Sequence, residues 1–245
     1  MGLNSWASLV TDPYERAARL YPALLALLPM LVVIVATSVF GKPIATQLLA
    51  LLGACGVAYL LANISRMLGK AQESKLFDAW GGTPTTQLLR HRNTFVDPHT
   101  KQRYHAFLAR KIKAEFPTSE QEQASPEAAD EIYRAGVKWL LGKTRDRKRF
   151  FLLFKENVSY GFHRNGFGLR WIGGLIGLLS VAWMGVAFQA FDSQQRVALS
   201  TEQIVTMGFA LAITLAWIAY FNETRVKQAA HAYADMLLRA CDELR

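Results

Sequence analysis

Residues 21–40 read YPALLALLPMLVVIVATSVF, and nothing in that run is charged. A stretch of this length is what a helix needs to cross a hydrocarbon core about 30 Å thick. Three further runs have the same character: 44–62 (IATQLLALLGACGVAYLLA), 171–191 and 204–221, each without Asp, Glu, Lys or Arg. In lipid, helices or closed barrels alone satisfy every backbone polar group, and unbroken apolar runs of this length read as helices. A soluble protein burying four such helices would need a far larger polar shell than 245 residues supply.

The connections set the expected layout. GKP at 41–43 forces a tight hairpin, and DSQQRVALSTEQ at 192–203 is also short. These two loops hold only Lys42 and Arg196; the other 26 of the 28 basic residues fall on the opposite side. The positive-inside rule then places both termini and residues 63–170 in the cytoplasm. Tyr21, Tyr59, Trp171 and Tyr220 fall near the cytoplasmic span ends, where aromatic rings suit the headgroup level. The expected fold is an all-α membrane protein. Its four transmembrane helices form two hairpins (21–62 and 171–221). A short cytoplasmic segment (1–20) precedes them, a basic helical cytoplasmic domain (63–170) lies between, and a cytoplasmic C-terminal amphipathic helix (222–245) follows. The N-terminus lacks the basic region and immediate apolar core of a signal peptide.

Within the spans, Gly173, Gly177 and Gly185 share one register of four, a pattern that lets helices approach closely. Pro29 is expected to kink the first span or to have its freed carbonyl satisfied by a neighbour. Thr206, Thr214 and Asn222 lie eight apart, along one stripe. Two readings stand for that stripe: a pore lining, or hydroxyls bonded back to the i−4 carbonyl. No charged side chain lies inside a span, which argues against proton-coupled transporters and voltage sensors. A channel with a hydrophobic gate needs no such group.

The net charge is +9, and residues 63–170 carry all of it, with 20 Lys and Arg against 11 Asp and Glu. Such a domain suits an anionic partner: membrane lipid headgroups, a nucleotide, or a short single-stranded nucleic acid. A helix is expected to extend from the second span to about residue 78. Thr83 and Pro84 then cap and open a short helix. Another runs from Pro98 to about Phe116, PTSEQEQASP at 117–126 reads as a mobile polar loop, Ser125 and Pro126 open the next helix, and the last begins near Asp146. In the tail, Val226, Ala230, Tyr233, Leu237, Ala240 and Leu244 follow a heptad seam continuing directly from the fourth span. It serves either oligomerisation or packing on the chain's own domain. Cys55 and Cys241 suggest neither a disulfide framework nor a metal signature.

Two basic clusters are candidate ligand-binding surfaces. The first contains Arg90, His91, Arg92, Lys101, Arg103, Arg110 and Lys111; the second contains Arg145, Arg147, Lys148 and Arg149. Tyr104 and other aromatics are interleaved with them, as a ligand of bases and phosphates requires. His91, Asp97, His99 and His105 in LRHRNTFVDPHTKQRYH (89–105) are the only groups resembling a metal hydrolase site. Their spacing matches no metal motif and cations surround them. No nucleophile elbow, P-loop or dinucleotide fingerprint occurs. No catalytic residue, metal or cofactor is therefore expected. A membrane-bound hydrolase ranks behind a non-conducting scaffold or anionic-lipid-binding protein, and both rank behind a channel.

The arrangement of two hairpins around a basic domain, with FDAWGGTPTTQLLRHRN (77–93) and ENVSYGFHRNGFG (156–168), resembles small four-helix membrane effectors of bacterial anti-phage defence. These include effectors that accompany nucleotide-signal synthases and the Hailong-type channel held shut by short DNA oligomers. The resemblance implies a homo-oligomeric ion channel of the bacterial inner membrane, with a tetramer favoured. It further implies gating by an oligonucleotide or cyclic nucleotide on the cytoplasmic domain and a nucleotidyltransferase as functional partner. Opening would depolarise the membrane and stop phage growth.

Overall fold

The computed structural model describes residues 3–36, 44–188 and 199–245. Among them no strand occurs. The helices are α1 (Leu3–Thr11), α2 (Pro13–Glu15), a π-helical stretch Arg16–Leu20, α3 (Tyr21–Ile34), α4 (Ile44–Ala79), α5 (Pro84–Leu89), α6 (Pro98–Ile112), α7 (Ser119–Ala124), α8 (Pro126–Lys143), α9 (Phe151–Ala187), α10 (Thr201–Tyr220) and α11 (Glu223–Glu243). Four helical segments, containing α3, α4, α9 and α10, are long and apolar enough to cross a membrane. The two hairpin loops, with Lys42 and Arg196, lie largely or wholly outside the described residues.

The chain divides into two compact units: Met1–Gln72 with Gly161–Val226, and Glu73–Tyr160 with Lys227–Arg245. The boundaries fall about ten residues inside the 63 and 170 expected from hydropathy, because α4 and α9 continue well past their apolar runs.

The first unit packs Leu9, Ala23, Ala26, Leu27, Ala58, Leu61, Ala62, Leu169, Trp217 and Phe221 together. Its other faces are apolar too. Leu175, Leu178, Leu179, Trp183 and Val186 on α9, with Ile204, Val205, Phe209 and Leu215 on α10, are all exposed. Outward-facing apolar side chains along two helices are what a lipid environment favours and water does not. Small residues let the interior close up. A Cβ on Gly173 would meet the Trp217 indole, 2.5 Å from its Nε1, and one on Gly177 would run into the Thr214 hydroxyl. At Gly185 the nearest atom is a Met207 methyl at 3.9 Å, an ordinary contact. Pro29 sits inside α3. Several polar groups here bond across elements: Asn165 donates to the Ala18 carbonyl at 2.6 Å, and Arg19 reaches Asn63 at 2.6 Å and Glu15, while Arg19 Nε and Arg170 Nε are buried without a partner among the described residues.

The second unit builds its core from α5, α6, α8, the start of α9 and α11, around Leu88, Leu89, Leu108, Tyr133, Leu140, Leu237 and Leu238. Two expectations need correction. First, PTSEQEQASP is not simply a loop. Ser119–Ala124 is helical, with Thr118 and Gln121 forming a reciprocal capping box. GFHRNGFGLR lies inside α9, which runs unbroken into the third apolar run as expected, and a Cβ added at Gly161, Gly166 or Gly168 would collide with a neighbour. Second, the C-terminal helix does not continue from the fourth run. Phe221 leaves helical geometry, and Asn222 accepts from the Arg225 N–H at 3.0 Å to start a new helix. The seam on that helix is filled by its own chain. Ala230, Leu237 and Ala240 are buried, and Leu237 and Ala240 join the second unit's core together with Ala234 and Leu238.

Candidate anionic-ligand site

Arg90 ends α5 by turning extended, at φ −62° and ψ 140°. Its guanidinium then grips Asp130 on α8 with both Nε (2.8 Å) and Nη2 (2.5 Å), while Nη1 donates to the Gly81 carbonyl at 2.7 Å. The hydrogen bonds to Asp130 raise the Arg90 pKa further, against the pull of burial. Gly81 and Gly82 have φ of +82° and +119°, the left-handed region that permits this tight approach. The loop that follows Arg90 is held from both sides. Lys101 is only 5% exposed, and its ammonium donates to the carbonyls of Arg90 (2.8 Å) and Asn93. The Glu122 carboxylate, 4% exposed on α7, accepts the His91 N–H at 2.7 Å and the Tyr133 hydroxyl at 2.7 Å. Burial pushes the Glu122 carboxyl up, but these donors outweigh it and the net shift is down. Burial, reinforced by Glu122, pushes the Tyr133 phenol up.

Two imidazoles meet beside this loop. His91 and His105 lie edge to face with ring centroids 5.0 Å apart. His105 Nε2 is 2.7 Å from the Leu89 carbonyl, and His91 Nε2 is 2.9 Å from the Pro117 carbonyl. A carbonyl oxygen only accepts, so Nε2 carries the proton in both rings. His105 is 7% exposed, and burial lowers its pKa from 6.5 to about 4. It is therefore neutral near pH 7. A cavity of about 380 Å³ opens here, lined by both imidazoles, Lys101, Asn93, Gln102 and their apolar neighbours. Asp97 and His99 do not line it: Asp97 caps α6 through the Thr100 N–H at 2.9 Å. Among the described residues no group of three or more His, Cys, Asp or Glu could hold a metal ion.

The first expected cluster thus splits in two. Arg90, His91 and Lys101 are committed to the fold, and only His91 and Lys101 face the cavity. Tyr104 belongs to the core, its pKa pushed up to about 12 by burial. Arg92 is exposed, 4.0 Å from Glu122, and Arg103 is 3.4 Å from Asp242. Arg110 bonds back to the Ala106 carbonyl at 3.2 Å, and Lys111 lies over the Phe107 ring at 5.2 Å. In the second cluster Arg145, Arg147, Lys148 and Arg149 are all exposed. Arg147 lies 5.0 Å from the Phe154 ring, and Arg149 lies 5.2 Å from the Phe150 ring and donates to the Glu243 carbonyl at 2.8 Å. Lys148 starts the turn through its backbone N–H, which Asp146 accepts at 2.9 Å.

The pore-stripe residues have local partners. Thr206 and Thr214 each donate to the i−4 carbonyl at 2.8 Å, and Thr214 is fully buried. Asn222 caps α11.

The sequence matches no family model, no curated protein and no solved structure.

His105 gives the second unit a pH dependence with a definite sign. Its folded pKa lies below the unfolded 6.5, so the unfolded chain binds the extra proton between those values. Stability is complete above about pH 6.5 and is lost as pH falls towards 4, by roughly 3 kcal/mol if the whole shift is expressed. Glu122 adds its own loss only below its ordinary 4.5. Unfolding of the full chain followed between pH 7 and 4.5 should therefore show a decline that His105→Gln flattens. An equal slope in both proteins would refute the assignment to His105.

Proposed function

We propose that this chain is a homo-oligomeric ion channel or pore-forming membrane effector, gated by an anionic nucleotide or oligonucleotide ligand on its basic helical unit. In this reading the four apolar helices span a bacterial inner membrane as two hairpins. Both termini and residues 63–170 are then cytoplasmic, and the role is that of an effector in anti-phage defence. The observation that carries it is helical continuity. α4 and α9 each run without a break from an apolar stretch into residues of the second unit. A ligand that binds one conformation of that unit better than another shifts the population of both helices. The uncharged spans suit a gate that closes by dewetting rather than by titration.

A second reading has its own supporting observation. Arg170 lies 4.8 Å from the ring of Trp171, which is 70% exposed, and Arg225 lies 4.4 Å from the ring of Tyr220. Cation and aromatic paired at span ends also suit a lipid-anchored scaffold.

Potassium efflux from vesicles containing the purified full chain separates the two. Efflux that changes on adding nucleotides or short oligonucleotides, and is lost in an Arg145→Gln/Arg147→Gln/Lys148→Gln variant or a cavity variant, is the expected result. Vesicles that stay sealed under every ligand, while the protein still concentrates anionic lipid, would decide for the scaffold.

A further inference from the structure

We infer that the cavity between the Arg90–Val96 loop and α6 is a seat for one small phosphomonoester of about mononucleotide size, its phosphate held by Lys101. The inference deepens the ligand-gated reading and depends on it only for what binding does to the membrane.

Lys101 is the anomaly that points there. Lys101 is 95% buried, and among the described residues no carboxylate lies within ion-pair distance of its ammonium. Its partners are the carbonyls of Arg90 and Asn93, which take two of its three N–H groups. Carbonyl dipoles solvate a cation but do not neutralise it, and a buried charge is ordinarily paired. Burial lowers the Lys101 pKa, and the nearby Glu122 carboxylate offsets this only in part. The side chain lines a cavity, so an oxyanion in that space supplies the counter-charge in direct contact that Glu122, beyond ion-pair distance, does not.

The rest of the lining narrows the ligand. Asn93 uses its side-chain oxygen on the Phe95 N–H at 2.9 Å, which leaves its amide N–H groups to donate. Gln102 lines the same wall. One ammonium with two carboxamides offers more donors than a carboxylate needs and suits the three terminal oxygens of a phosphomonoester. The two imidazoles have the opposite character. With Nε2–H spent on carbonyls, each keeps an Nδ1 lone pair, an acceptor for a ligand hydroxyl or amino group. Val96 and Pro98 give an apolar surface for a sugar or base face. At about 380 Å³ the space is at the small end of ligand pockets. A second phosphate has no cation waiting for it inside, because the Arg90 guanidinium is already spent on Asp130 and Gly81. The cavity therefore selects a mononucleotide-sized monoester over an oligonucleotide.

Phosphorus NMR of 5′-AMP and inorganic phosphate, titrated with the detergent-solubilised full chain, tests this. Both resonances should broaden with wild type and equally with Lys138→Met, which removes an exposed charge elsewhere. Broadening should vanish with Lys101→Met. Because Lys101 also holds the loop, Gln102→Leu carries the decisive comparison. Gln102 is exposed and makes no side-chain hydrogen bond among the described residues, and its loss should weaken 5′-AMP binding at least about tenfold. Wild type that leaves both lines sharp, or Gln102→Leu that binds 5′-AMP as wild type does, overturns the proposal. Vesicle efflux separates the two readings. A response to decathymidylate with no 5′-AMP binding keeps the gated channel and removes this seat. Bound 5′-AMP with no efflux under any ligand does the reverse.

Discussion

Replacing Gly168 with valine is expected to prevent the first unit from assembling. Gly168 on α9 faces Gly69 on α4, and a Cβ added at 168 would sit 2.6 Å from the Gly69 nitrogen and 3.0 Å from its Cα. A Cβ at 69 would meet the Asn165 side-chain oxygen at 2.6 Å and the Arg164 carbonyl at 3.1 Å. Backbone atoms lie on both sides of this crossing, so no rotamer change relieves the clash. Overpacking of a core costs about 1–3 kcal/mol when side chains can give way, and backbone contact puts this case at the upper end or beyond. Helices in lipid hold together by close packing rather than by hydrophobic transfer, so a crossing forced apart has little to fall back on. The measurement is the monodisperse fraction and thermal midpoint of full-length protein in detergent. Gly142→Ala is the comparison. It lies in α8 with nothing within 4 Å of its added Cβ, so it should gain about 0.5 kcal/mol from helix propensity. A Gly168→Val protein with wild-type yield and midpoint would show that α4 and α9 do not cross at these glycines.

Asp130→Ala is expected to be the most damaging single change in the second unit. It would leave the Arg90 guanidinium, whose side chain is 11% exposed, with the Gly81 carbonyl alone. Breaking one side of a buried pair costs about 3–5 kcal/mol, because the remaining charge loses its partner without regaining water. Arg90→Met should cost less than Asp130→Ala, since Asp130 is the more exposed of the two and can be solvated. The double variant Arg90→Met/Asp130→Ala should recover part of the loss. Denaturant unfolding of the four proteins gives the cycle. If the two single changes simply add, the pair is not coupled and the contact is not holding α5 to α8. The same set informs function. A loss of ligand binding on Arg90→Met that Asp130→Ala reproduces is a folding effect, not a lost ligand contact.

The apolar helices were legible because each run excludes charge for nearly twenty residues, and a chain that keeps water away from so long a stretch has few places to put it besides lipid. Pro84 at the start of α5 and Pro98 at the start of α6 are legible from local chemistry alone; Thr83 holds the cap position but its hydroxyl bonds to Thr85 and Thr86, and the cap on α6 is Asp97, which the sequence groups with the histidines instead. The candidate site was only half legible. Its location between residues 90 and 105 follows from the density of basic and histidine residues. Which cations serve the fold could not be read, because Arg90 finds its carboxylate forty residues later and Lys101 finds carbonyls, which every residue has. Glu122 and Tyr133 were missed for a related reason. An acidic residue in PTSEQEQASP looks like solvent-facing polarity, although the Thr118–Gln121 spacing is a capping-box signal. The extent of α11 is legible in the sequence, but its separation from the fourth run is not: the heptad spacing looks continuous, although asparagine, here Asn222, is among the strongest helix openers.

The interruption at Phe221–Asn222 has a mechanical meaning. A helix carries rotation about its axis because every peptide is bonded to the next turn, so twisting one end turns the other. α4 and α9 retain that property over 36 and 37 residues. Between α10 and α11 the ladder stops, and each begins or ends on its own cap. A turn of α11 can therefore be taken up at Phe221 and Asn222 without turning α10, whereas α4 and α9 contain no such break.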